Sequence, residues 1–154
     1  NSMSEILNKV SDKEIAKEYK KRFFLKSGDK LSGSCDASNH LTVLLSNDTS
    51  REQFAVIFLN AANCIVTSKI MFKGSLTSSA VYPREIIKKA LELDAAAIII
   101  GHNHPSGETK PSRDDIQITN KIKDACKTVD IILHDHIIIA GKNGYYSFSD
   151  EGVL

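Results

Sequence analysis

Two short stretches of this chain are apolar at every position, and they constrain what it can fold into more than any other feature. Residues 54–59 read Phe-Ala-Val-Ile-Phe-Leu, and residues 95–100 read Ala-Ala-Ala-Ile-Ile-Ile. A strand with one wet face alternates apolar and polar side chains. One that is apolar throughout must be covered on both faces, as the central strands of helix-flanked sheets are. The covering helices are legible as well. After Pro83, residues Ile86, Ile87, Ala90, Leu91 and Leu93 recur at helical spacing. From Ser112 onward, Ile118, Ile122, Ala125 and Val129 form a second stripe. Helices interleaved with buried strands imply a layered α/β domain with a mixed sheet.

The remaining chain fits this frame. Asn60-Ala61-Ala62-Asn63 turns strand 54–59 back into a second strand near 64–72, closed by Gly74. Strand segments are expected at 131–133 and 137–140, with a hairpin turn at 141–144 and residues 145–148 pairing back. Asp36 is expected to cap a short helix carrying Leu41, Leu44 and Leu45. Residues 1–30 read as an amino-terminal extension, in which Asn1 and Ser2 ahead of Met3 look like a cloning remnant. Within it, Ile6, Leu7 and Val10 suit one helix face, while Lys17, Lys20, Lys21, Arg22 and Lys26 form a basic cluster best read as solvated. The domain proper is expected over 31–154.

Bulk properties exclude several classes of protein. Lys plus Arg number 20 against 19 for Asp plus Glu, a balance that does not advertise nucleic acid or an anionic membrane as a bulk partner. No apolar run approaches the ~20 residues of a membrane span. Cys35, Cys64 and Cys126 are odd in number and far apart, which argues against a disulfide framework. A cytoplasmic domain without membrane partners is the expectation.

The chemistry concentrates in Gly101-His102-Asn103-His104-Pro105-Ser106-Gly107, followed by Pro111-Ser112-Arg113-Asp114-Asp115. The segment follows strand 95–100 at its carboxyl end, where open α/β sheets place ligands. Histidines at i and i+2 on extended backbone point to the same side, so His102 and His104 can converge on one cation. Asp115 falls on the apolar stripe of the second helix, and a carboxylate aimed inward needs compensation by backbone N–H groups or a cation. Ser112-x-x-Asp115 is also a capping-box pattern, a sufficient reason for both residues that leaves the histidines unexplained. Two histidines, a carboxylate and a water make a tetrahedral zinc site with one open position. Such a site needs a base. A helical crossover makes strand 95–100 antiparallel to 54–59, so Glu52 starts at the sheet edge where the histidines end. Glu85 and Glu108 compete with it, the first better placed as a helix-dipole partner, the second on an exposed loop.

These residues resemble a known family. Glu52, His102-x-His104-Pro105 and Ser112-x-x-Asp115 are similar to the JAMM (MPN+) metalloprotease signature. His102-Asn103-His104-Pro105-Ser106-Gly107, Pro111-Ser112-x-x-Asp115, Pro83-Arg84-Glu85 and Asp135-His136 resemble the bacterial RadC family more closely, from about residue 30 onward. The resemblance implies a cytidine-deaminase-like three-layer α/β/α fold around one zinc ion per chain. It makes His102, His104 and Asp115 the metal ligands, Glu52 the base that activates water and protonates the leaving amine, and Ser112 the donor to the oxyanion. It implies cleavage of peptide or isopeptide bonds. The helix-hairpin-helix region of full-length RadC proteins has no counterpart before residue 30, which weakens the family's DNA-repair label. This chain also departs from the family in having His134, which creates a second His-x-His, 134–136. That pair reads as structural, although Asp135 or His136 could orient a ligand through its outer nitrogen.

The leading expectation is a zinc hydrolase acting on an amide bond of a peptide or modified protein. The rival is a DNA-associated accessory module with a structural metal, whose DNA binding should fall steeply with salt. Nucleobase deamination is disfavoured for want of the Cys-x-x-Cys ligands it uses. A nuclease reading of His-Asn-His is weak, because such motifs are not consecutive. Imidazoles bind metal only when neutral, so zinc should dissociate as pH falls through the histidine range.

Overall fold

The computed structural model describes residues 2–154. In it the first apolar run becomes β1 (Gln53–Leu59), buried at all seven positions. The second becomes β3 (Ala97–Asn103), likewise buried throughout. With β2 (Ile65–Lys73), β4 (Ile132–Ile139) and β5 (Tyr145–Ser147) they form one sheet of order β2-β1-β3-β4-β5. Only β3 and β4 pair in parallel; β1 is antiparallel to both its neighbours. The sheet is therefore mixed, and its central strands are the two runs that lack alternation.

Helices cover both faces. On one, α4 (Pro83–Glu92) and α5 (Arg113–Thr128) bury Ile86, Ala90, Ile118, Ile122 and Cys126 against Phe54, Val56, Phe58, Ile98 and Ile100. On the other, α3 (Ser34–Leu44) sets Ala37 and Leu41 against Ala55, Ile57, Ile99 and Ile137. Two separate cores sandwich the sheet, giving a three-layer α/β/α arrangement. Cys126, rather than Ala125, completes the buried stripe of α5. At the start of α3 the expected cap moves: Gly33 is the N-cap, and Asp36, one turn inside, accepts the Ser32 N–H at 2.9 Å. The segments expected at 131–133 and 137–140 are one continuous strand.

Residues before 31 form α1 (Met3–Asn8) and α2 (Asp12–Phe23), neither with a buried residue. Ser11 separates them by capping α2 through the Glu14 N–H. The link to α3 is tied down better, because Gly28, Asp29 and Leu31 exchange backbone hydrogen bonds with Asn63 and Ile65. Here His40, which no motif advertises, is wholly buried. Its Nδ1 accepts the Leu25 N–H and its Nε2 donates to Ser68, both at 2.8 Å. Burial pushes its pKa from 6.5 down to about 4. A lowered folded-state value means that the unfolded chain binds the proton first, so this stabilisation is complete above pH 6.5. It is lost as pH falls through 4, amounting to roughly 3 kcal/mol at most. Urea titrations between pH 7 and 4 should show that loss, and His40→Gln should flatten it.

Gly101 lets α3 approach the strand that carries the histidines. A Cβ there would land on the methyl groups of Leu41 and lie 3.3 Å from the Ile137 carbonyl oxygen. Gly101→Ala is expected to cost about 1–3 kcal/mol through overpacking. The urea midpoint should drop with an unchanged slope.

Candidate functional site

β3 runs three residues past its apolar stretch and ends at Asn103, so His102 lies inside the strand and His104 just beyond it. His102 faces α5, the side of Ile100, and pairs across the sheet with Phe54. Both rings turn Nε2 inward, 2.9 Å apart. Asp115, in the first turn of α5, reaches between them, with Oδ1 3.1 Å from His102 Nε2 and Oδ2 3.0 Å from His104 Nε2. The three ligand atoms lie within 4.8 Å of one another, a cluster that could hold a metal ion.

The hydrogen bonds around this cluster say what would fit between its members. His104 Nδ1 is 2.6 Å from the Glu108 carbonyl oxygen, which only accepts, so that nitrogen carries the hydrogen. A neutral His104 then offers a lone pair at Nε2, facing a carboxylate oxygen and the second imidazole nitrogen. Only a proton or a cation between these atoms relieves the repulsion. Burial alone would raise the Asp115 pKa, but the two imidazoles, whenever either carries a proton toward it, and the Ser112 amide outweigh burial and hold the carboxyl well below its usual range. Asp115 in turn raises His104, against burial, with Glu52 adding its charge. An ionised carboxylate beside two imidazoles, in a mostly buried pocket, fits a divalent cation with nitrogen and oxygen ligands.

Ser112 is the N-cap of α5. Its Oγ accepts the Asp115 N–H at 3.0 Å, and Asp115 Oδ2 accepts the Ser112 N–H at 2.8 Å. The capping box is real, and the same carboxylate oxygen approaches His104. Cap and ligand are therefore not alternatives here. Glu52 stands immediately before β1, half-buried, and its Oε2 accepts the Leu76 N–H at 3.0 Å. Its competitors lie differently: Glu85 pairs loosely with Arg84 at 3.8 Å, and the Glu108 carboxylate accepts the Lys110 N–H on an exposed turn.

A family model described as the RadC-like JAB domain matches residues 31–153. The chain belongs to the RadC family. Among its relatives, a UPF0758 protein of Photobacterium profundum is 44% identical over 130 residues, covering 84% of this chain and 57% of the relative. A UPF0758 protein of Clostridium botulinum is 47% identical over 119 residues, covering 75% and 52%. UPF0758 protein YfjY of Escherichia coli is 44% identical over 104 residues, covering 68% and 64%. The chain thus spans between half and two thirds of the length of these relatives. The mixed sheet between helical layers agrees with a JAB/MPN-like fold.

Two RadC-domain residues near the site escaped sequence reasoning. Asn103 points to the face opposite the histidines. Its Oδ1 accepts the Gln53 N–H at 2.7 Å and its Nδ2 donates to the Arg51 carbonyl at 2.8 Å. One amide thus grips the backbone on both sides of Glu52, from between the two histidines. Thr119, one turn beyond Asp115, is buried and bonded to His136. Of the second His-x-His, His136 Nε2 is 2.8 Å from His102 Nδ1, whereas half-buried His134 is hydrogen-bonded to Asn63, at 3.0 Å. Burial lowers the His136 pKa well below the ordinary value. Asp135 serves the other face, where its carboxylate takes hydrogen bonds from Ser147, Ser149 and the His136 amide. A cavity of about 540 Å³ near Lys30, Asn63, His134 and Asp135 lies at the opposite end of the sheet. Among the described residues, no helix is long and apolar enough to cross a membrane.

Proposed function

We propose that this RadC domain is a zinc-dependent hydrolase that cleaves an amide bond in a peptide or a modified protein. The observation that carries the reading is that His102, His104 and Asp115 bring one ligand atom each within 4.8 Å of the others, with Glu52 at the adjacent sheet edge. Zinc held by these three residues would polarise a substrate carbonyl and acidify water. The rest falls to the chain itself. Leu76 holds one oxygen of Glu52, leaving the other to take a proton from the attacking water and pass it to the departing amine. The Ser112 cap uses its hydroxyl oxygen as an acceptor only, so its hydrogen remains to donate to the oxyanion that forms. A cleft of about 470 Å³ lined by Ser50, Arg51, Glu52, Gly74, Ser75 and Pro105 borders Glu52 and would admit a substrate beside it.

The reading of a DNA-associated module with a structural metal draws less support. The basic residues of α2 are interleaved with Asp12, Glu14 and Glu18, and Arg22 is bonded to Glu18 at 3.2 Å. The direct test is incubation of the zinc-loaded protein with peptide and isopeptide amides, scored by release of new amine. Cleavage should stop on chelation and return with zinc. Cleavage that persists in chelator would contradict the proposal.

A further inference from the structure

We propose that Thr119 and His136 are positioning residues that lock the His102 ring in the tautomer able to bind a metal, through a one-way chain of hydrogen bonds anchored on the backbone of Asp115. The inference rests on the metal reading above and extends it beyond the residues that touch the ion.

The direction of the chain follows from its last member. The Asp115 carbonyl oxygen can only accept, and Thr119 Oγ1 lies 2.6 Å from it, so the single hydroxyl hydrogen is spent there. Toward His136 Nδ1, also 2.6 Å away, the same oxygen can then only accept, and Nδ1 must carry hydrogen. The His136 ring is wholly buried, stacked on Phe148 at 4.7 Å between centroids and edge-on to Phe54. A neutral ring protonated at Nδ1 has a lone pair at Nε2, which faces His102 Nδ1 at 2.8 Å. His102 must therefore carry its hydrogen on Nδ1 as well. Its Nε2 is left as a lone pair aimed at His104 and Asp115. No other assignment satisfies all three contacts with both rings uncharged.

The chain starts on one ligand and ends on the backbone of another, so it couples the orientation of the His102 ring to the first turn of α5. His104 is fixed separately, by the Glu108 carbonyl. A local irregularity in β4 makes the chain possible. Ile98 pairs with Leu133 but Ile99 pairs with Asp135, so His134 is an extra residue in the strand. Regular alternation from Leu133, which faces α5, would turn His136 toward α3. The inserted residue moves it back beside His102 and Thr119.

The test uses the whole chain with Thr119→Val, which keeps the shape and removes the hydroxyl, and Thr119→Ser, which keeps the hydroxyl. Zinc affinity is read by competition with a chromogenic chelator, and ring tautomers by imidazole ¹⁵N–¹H correlation spectra of the metal-free protein. Thr119→Val should weaken zinc about 10- to 100-fold, whereas Thr119→Ser should stay within about threefold of wild type. The wild-type spectrum should show hydrogen on Nδ1 of both His102 and His136. Undiminished zinc affinity in Thr119→Val would overturn the proposal. A wild-type His102 lacking hydrogen on Nδ1 would do so independently, even if Thr119→Val fails to fold. Should wild type bind no zinc while its spectrum shows both Nδ1 hydrogens, the metal reading fails and the tautomer chain stands.

Discussion

Glu52→Gln is expected to hold zinc as tightly as the wild type and to lose about two to four orders of magnitude of amide hydrolysis, the usual contribution of a positioned general base. The expectation follows from where Glu52 is held. Asn103 clamps the backbone at Arg51 and Gln53, and the Leu76 amide fixes one carboxylate oxygen. A glutamine keeps the size of the side chain and can keep the bond to Leu76, but cannot take a proton. None of the three ligand atoms belongs to Glu52, so occupancy should not change. Paired measurements of zinc content and cleavage rate decide the matter. A fully active Glu52→Gln would move the base elsewhere.

Asp115→Asn is expected to abolish stabilisation by zinc while leaving most of the helix cap. With zinc at about 100 times its dissociation constant, wild type should gain about 2.7 kcal/mol. For a domain of this size that corresponds to a rise in Tm of roughly 5–10 °C. The asparagine oxygen can still accept the Ser112 N–H, so the metal-free variant should lose only about 1 kcal/mol, from the charge–dipole term. Differential scanning calorimetry with and without zinc separates the two roles of Asp115. An equal shift in wild type and Asp115→Asn would leave the carboxylate as a cap alone.

Much of the architecture was legible because the signals were local. Residues 54–59 and 97–100 are doubly covered strands as their unbroken apolar runs implied, with Ala95 and Ala96 lying just ahead of β3, and Ser112 with Asp115 marks the start of α5 by its own spacing. The antiparallel relation of β1 and β3, which brings Glu52 toward the histidines, followed from the hairpin and one crossover. What stayed hidden depends on pairing between distant segments. Period-two alternation puts His134 and His136 on one face, and only the register slip against β3 parts them. Asn103 read as the spacer of His-x-His, because nothing in the chain says that its side chain meets residues fifty positions earlier. His40 is buried by the docking of residues 25–31, an event with no motif. The capping box and a carboxylate turned toward the histidines looked like rivals until the geometry showed the same oxygen accepting the Ser112 N–H and approaching His104.

Bound-metal stoichiometry is the most direct test of the account, by elemental analysis of the wild type and Asp115→Asn, both purified without a histidine tag or added metal. The account predicts about one zinc per chain in the wild type, lost in the variant, as three protein ligands and one open position require. Wild type that carries no metal, even after zinc is supplied, would contradict it.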